Sequence, residues 1–124
     1  MGFDNLVKKR ILIVEDDIYL AEILTLMLSS YDCIVATDGK KAVKLYDIYK
    51  PALVLMDIQL SEMSGIDATR KILEKHPDAK IVGITAFKKR LGKDLLDAGA
   101  LEVIEKPFTR RTLIGVVEKY LGEH

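Results

Sequence analysis

Two stretches of this chain are apolar without a break, and each stops at an acid. Ile11-Leu12-Ile13-Val14 runs into Glu15-Asp16-Asp17, and Leu53-Val54-Leu55-Met56 runs into Asp57. Short continuous runs of this kind predict strands covered on both faces, as in a parallel sheet packed between helices. Ile81-Val82-Gly83-Ile84 is a third such run and ends at Thr85; Cys33-Ile34-Val35-Ala36-Thr37, closed by Asp38-Gly39, and Val103-Ile104, leading into Glu105-Lys106-Pro107, are shorter ones. Between the runs the apolar period changes from continuous to helical. One predicted helix turns Leu20, Ile23, Leu24, Met27 and Leu28 inward, the next Ala42, Leu45, Tyr46 and Tyr49, and a third Ile66, Thr69, Ile72 and Leu73. A weaker fourth opens on Lys88, Lys89, Arg90 and Lys93 and finishes at Ala98-Gly99, and the last buries Leu113, Val116, Val117, Tyr120 and Leu121. Asp17, Asp38 and Thr109 stand where helix N-caps are expected, and Pro51 and His76-Pro77 supply stops.

Five β-α units with short connections predict an α/β fold, with right-handed crossovers and helices on both faces of one parallel sheet. The strand order that suits this length is 2-1-3-4-5, the flavodoxin-like doubly wound arrangement. The 124 residues are expected to form a single domain with its core over about residues 10–121; the first residues, up to about Lys8, read as an arm and Glu123-His124 as a frayed end. Composition changes this picture little. Lys+Arg and Asp+Glu are both 19, so no global charge points to nucleic acid or to an anionic membrane. No run is long enough for a membrane helix, and the start Met1-Gly2-Phe3-Asp4-Asn5-Leu6 lacks a signal-peptide core and, with Leu6 in place of Ser or Thr, the myristoylation pattern. A lone Cys33 in an apolar run reads as buried filler and is consistent with a reducing, cytoplasmic setting.

Chemistry enters where the strands end. In sheets of this order the carboxyl edge of the first strand would present Glu15 and Asp16, the third Asp57, the fourth Thr85 and the fifth Lys106. Taken singly, each has a plain role as a cap, a loop acid, a strand-end hydroxyl or a solvated lysine. Together, acids, a hydroxyl and an ammonium at successive strand ends are rarely a coincidence. Two like charges about 4 Å apart cost ~4 kcal/mol at an effective dielectric near 20. One lysine does not balance three acids, so a divalent cation is expected, and an all-oxygen site suits Mg²⁺. With that ion between Asp16 and Asp57, Asp57 is the expected nucleophile toward phosphorus, Lys106 and Thr85 the partners of the phosphoryl oxygens, and small Ala86 the space beside them.

At these residues the chain resembles the receiver domain of two-component response regulators, over about Arg10 to Leu121. Ile11 to Asp17 is similar to the family's acidic first-strand motif, and Leu55-Met56-Asp57-Ile58-Gln59-Leu60 with Met63 and Gly65 to its phosphoacceptor loop. Ile84-Thr85-Ala86 resembles the switch-threonine motif and Lys106-Pro107-Phe108 the lysine motif. The resemblance implies that Asp57 accepts a phosphoryl group from a sensor histidine kinase or a histidine phosphotransfer protein and then alters the binding of a downstream effector protein or domain. It implies Mg²⁺ held by Asp16, Asp57 and the backbone carbonyl of Gln59, with Glu15 acting mainly through water, and a cis Lys106–Pro107 bond. It also implies a signalling protein that is not an enzyme in the usual sense, catalysing only its own phosphotransfer and slow autodephosphorylation.

Three departures from the pattern are expected to matter. Ser61 replaces a frequent proline, which suggests a looser loop; Val103 replaces the switch aromatic; and the span from Thr85 to Gly99 is about one residue short, so the fourth helix is expected to start late or to be partly irregular. Gln59 and Phe87 hold the positions that flank the path of an attacking water, and an apolar Phe87 cannot orient one, which predicts slow loss of the phosphoryl group. A haloacid-dehalogenase-like phosphohydrolase would share the nucleophile, Thr, Lys and metal, but it wants a second Asp where Gln59 stands, and it wants a cap domain. A flavin binder would meet repulsion from Glu15-Asp16-Asp17 at its phosphate. Lys88, Lys89, Arg90, Lys93, Arg110 and Arg111 lie on or near the face the family uses for output, as a solvated surface or a dock for an acidic partner. Dimerisation through that face, and whether the chain acts alone or within a longer regulator, are left open. Direct nucleic-acid or membrane binding is not expected.

Overall fold

The computed structural model describes residues 8–60 and 62–122. Strands β1 (Arg10–Val14), β2 (Asp32–Ala36), β3 (Leu53–Asp57), β4 (Ile81–Thr85) and β5 (Glu102–Glu105) alternate with helices α1 (Ile18–Met27), α2 (Gly39–Tyr49), α3 (Gly65–Lys75), α4 (Lys88–Asp97) and α5 (Arg110–Leu121). The strands form one parallel sheet in the order β2-β1-β3-β4-β5, as the alternation predicts. β1, β3 and β4 are interior, which is why their runs are apolar throughout. Outer β2 leaves Val35 exposed.

Two apolar layers follow from the two faces. Leu12, Val14, Val54 and Met56 pack with Ala42, Tyr46, Ala68, Ile72 and Leu95 under α2, α3 and α4. Ile11, Ile13, Leu53 and Leu55 pack with Leu24, Leu28, Leu113, Val117 and Leu121 under α1 and α5. Alternate residues of one strand thus serve opposite layers.

Asp17, Asp38, Ser64 and Thr109 each cap a helix through a side-chain oxygen; of these, Ser64 was not foreseen. Two expected inward positions are corrected. Ile23 is 47% exposed because the buried stripe of α1 centres on Ala21, Leu24 and Leu28. Tyr49 is 43% exposed because α2 ends there and Lys50 turns left-handed at φ 44°, which carries the last side chain beyond the sheet. Its ring packs under the Arg10 guanidinium at 4.9 Å. The β2 and β5 runs shift by a residue at their ends, starting at Asp32 and Glu102. α4 is a regular helix from Lys88 onward, so its interior is not irregular. Ser61 and the two termini lie outside the described residues.

Candidate functional site

The register of the sheet brings the strand ends together. Val14 pairs with Met56, Asp57 with Ile84, and Thr85 with Glu105, so the residues just past β1, β3, β4 and β5 share one edge. Glu15 and Asp57 are 2% and 6% exposed, whereas Asp16 faces solvent. One carboxylate oxygen from each of Glu15, Asp16 and Asp57 lies within 4.8 Å of the others.

Lys106 enters from the β5 end, and its Nζ donates to Glu15 Oε1 at 3.1 Å and to Asp57 Oδ2 at 3.4 Å. Its backbone N–H is fixed on the Thr85 carbonyl at 2.9 Å. The Lys106–Pro107 bond is cis. The Asp17 amide donates to Glu15 Oε2 at 3.2 Å and the Gln59 amide to Asp57 Oδ1 at 3.3 Å. It is thus the N–H of Gln59 that touches the central acid here. Gly65 is required nearby: a Cβ there would stand 2.1 Å from the Asp57 carbonyl oxygen, so only glycine lets α3 begin so close to β3.

Electrostatics show what this packing costs. Burial first, and then the charge of Asp57, push the Glu15 carboxyl from its usual 4.5 up to about 7, although the Asp17 amide and the Lys106 ammonium pull the other way. Burial also pulls Lys106 down, yet the charge of Asp57 and the bond to Glu15 outweigh it and hold the ammonium above its ordinary value. One cation therefore leaves the acidic set undercompensated. Three hard oxygen donors, two in a dry floor and one open to water, fit a small divalent cation.

Thr85 is buried at the end of β4, and its Oγ1 accepts the backbone N–H of Phe87 at 3.0 Å. Ala86, between them, is exposed. Sequence reading found Thr85 but not this bond. A Thr followed two residues later by the first position before a helix is the available signal. It also missed that Lys106 approaches Glu15 more closely than Asp57. Val103 is buried beneath α4, with no ring at that position.

The profile of the family described as response regulator receiver domain matches residues 11–118. The chain belongs to that family. Among curated relatives, this receiver domain is 40% identical over 119 residues to the transcriptional regulatory protein PdtaR of Mycobacterium tuberculosis, covering 93% of the chain and 58% of PdtaR. It therefore spans a little over half the length of that relative. It is 35% identical over 115 residues to the chemotaxis protein CheY of Thermotoga maritima, covering 90% of the chain and 96% of CheY.

Solved receiver domains superpose closely. The receiver domain of the sensor histidine kinase PA1611 from Pseudomonas aeruginosa PAO1 has a magnesium ion coordinated in its active site cleft. It matches with a TM-score of 0.88 at 28% identity, covering 94% of the chain and all of that domain. CheY of Borrelia burgdorferi, in a complex with CheX, BeF₃ and Mg²⁺, matches with a TM-score of 0.87 at 30% identity, over 94% of this chain and 92% of that one. These likenesses lend the phosphohydrolase reading no support. Among the described residues no helix is long and apolar enough to cross a membrane.

Proposed function

We propose that this receiver domain takes a phosphoryl group from a phosphohistidine onto the Asp57 carboxylate, and that the transfer depends on Mg²⁺ held by Glu15, Asp16, Asp57 and the Gln59 carbonyl. The observation that carries the reading is the shared grip of Lys106 on Glu15 and Asp57, with Asp16 beside them. An oxygen of Asp57 attacks phosphorus, the P–N bond to the donor imidazole breaks, and the imidazole leaves with the bonding pair. Lys106 then neutralises a phosphoryl oxygen, and the Thr85 hydroxyl donates to another. Exposed Ala86 leaves room beside them. When bound, magnesium supplies the second positive centre that lets acids and phosphoryl oxygens crowd together.

A donor protein has a surface to use: Ile18, Tyr19, Ile23 and Leu26 are exposed on α1, and an apolar groove between Leu20, Ile23, Met27, Pro107 and Phe108 continues toward Lys106. A histidine kinase or histidine phosphotransfer protein fits this role in a cytoplasmic relay, with an effector protein or domain read out afterwards. Phe87 is 41% exposed and carries the Arg90 guanidinium over its ring at 5.3 Å, an apolar group where a water-orienting one would speed hydrolysis. Phe87→Glu is expected to shorten the phosphoryl lifetime; an unchanged lifetime would remove that role.

Incubation with a small phosphodonor and Mg²⁺, followed by intact mass, tests the main claim. One phosphoryl adduct is expected, lost in Asp57→Asn and on chelation of the metal. Steady phosphate release from many monoesters with no adduct would overturn it.

A further inference from the structure

The connection from β3 to α3 carries Gln59, and both its ends are pinned. The Gly65 amide donates to the Ile58 carbonyl at 2.9 Å, and the Gln59 amide to Asp57 Oδ1 at 3.3 Å. Further along, Leu60 and Met63 pack against the apolar layer under α2 and α3. Glu62, next to Met63, is held at φ 67°, a left-handed conformation that a residue with a Cβ rarely adopts unless its surroundings impose it. The path of this short stretch is therefore set from outside as well as from within.

One outside element is the start of α2. Gly39 is buried there, and a Cβ built on it would stand 2.5 Å from the Met63 carbonyl oxygen and 2.9 Å from Met63 Cβ. The nearest of these atoms is backbone, so a methyl group would displace the Met63 peptide rather than a side-chain tip. Backbone conformation gives no other reason for glycine here. Gly39 has no positive φ, and Asp38 already caps α2 by accepting the Lys41 amide at 2.8 Å. Closeness is the reason. Gly115, on the exposed side of α5, makes the contrast, because among the described residues nothing lies within 4 Å of its Cβ position.

With both ends of the connection tied, a push at Met63 has to be taken up by the residues between, Gln59 among them. Magnesium takes its oxygen ligands in a nearly ideal octahedron and tolerates little displacement of any one. We propose that Gly39 is a positioning residue for the metal: by seating the Met63 peptide against the start of α2, it sets the course of the chain through Gln59 beside Asp57. The proposal rests on the reading of Glu15, Asp16, Asp57 and the Gln59 carbonyl as a magnesium site, and the test separates the two.

The experiment is titration calorimetry of the full chain with Mg²⁺, for the native protein, Gly39→Ala, Met63→Ala and Gly115→Ala. Gly39→Ala is expected to bind about tenfold more weakly, the lower end of the cost of disturbing a group that orients a metal ligand. Met63→Ala adds no atom at the contact but loosens the seat from the other side. It is expected to weaken binding by less, and it carries the test if Gly39→Ala does not fold. Gly115→Ala is expected to bind as the native protein does. The amide resonances of Gln59 and Met63 in the metal-free protein should move in Gly39→Ala and stay in place in Gly115→Ala. Formation of the phosphoryl adduct from a small phosphodonor, slow in Gly39→Ala at low Mg²⁺, should recover once the ion saturates the weakened site. Unchanged affinity in Gly39→Ala, or in Met63→Ala where that variant carries the test, overturns the role of Gly39 and leaves the magnesium reading standing. An equal loss in Gly115→Ala, or an adduct that stays slow at saturating Mg²⁺, does the same. No binding of Mg²⁺ by the native chain overturns that reading, and the positioning role with it.

Discussion

Helices α3 and α4 lie side by side on one face of the sheet and share one apolar layer, yet they are held in opposite ways. α3 is locally complete. Ser64 Oγ accepts the Asp67 amide at 3.1 Å, Asp67 stands in the first turn and Lys75 in the last, and Gly65, Ala68, Thr69 and Ile72 are buried. α4 has no cap, no acid at its start and no base at its end, and it buries only Gly92 and Leu95. The difference lies in what each helix start is tied to. α3 begins against the backbone of Asp57, where a Cβ on Gly65 would clash, whereas α4 is anchored by Leu95 further along the helix.

The sharpest way to break the contrast is Leu95→Ala. It removes the main anchor of α4, and a loss of about 2–5 kcal/mol is expected in urea unfolding, with exchange in α4 rising well before that in α3. Equal loosening of both helices would mean that they form one cooperative unit. The reciprocal cap changes come next. Ser64→Ala is expected to cost about 1 kcal/mol, whereas Phe87→Ser should add up to about 1 kcal/mol, because only α4 lacks a cap to begin with. Two changes of the same sign would contradict the comparison.

α3 carries a flaw of its own: Thr69 is fully buried and, among the described residues, its Oγ1 has no hydrogen-bond partner. Thr69→Val is expected to raise stability by about 1 kcal/mol by removing an unpaid desolvation. A loss would show that the hydroxyl is satisfied in solution.

The smallest effect concerns β5 and α5. Glu102 accepts the Tyr120 hydroxyl at 2.6 Å and Lys119 Nζ at 2.9 Å, and these bonds, Tyr120 first, hold its carboxyl below the usual 4.5. An acid whose pKa is lowered by folding stabilises fully above 4.5 and loses that contribution as the pH falls through the lowered value. For a partly exposed pair the amount is under about 1 kcal/mol. The stability gap between the native protein and Glu102→Gln should therefore be present at pH 7 and close below pH 4.5. A gap that persists in acid would assign the effect to packing.

Much of this molecule was legible in the chain, for a physical reason. Interior parallel strands must be apolar on both faces, so β1, β3 and β4 announce themselves as unbroken runs, and short connections leave few ways to order them. The polar residue that ends each run then has to fall on one edge, which is how Glu15, Asp16, Asp57, Thr85 and Lys106 could be named together. Side-chain partners followed no such rule. Lys106 sits closer to Glu15, 91 positions away, than to Asp57; Ile23 and Tyr49 turn outward; and the Phe87 amide finds Thr85. Those outcomes depend on rotamers, on helix ends and on the competition of neighbours for one hydrogen bond. They come into being only once the elements have packed.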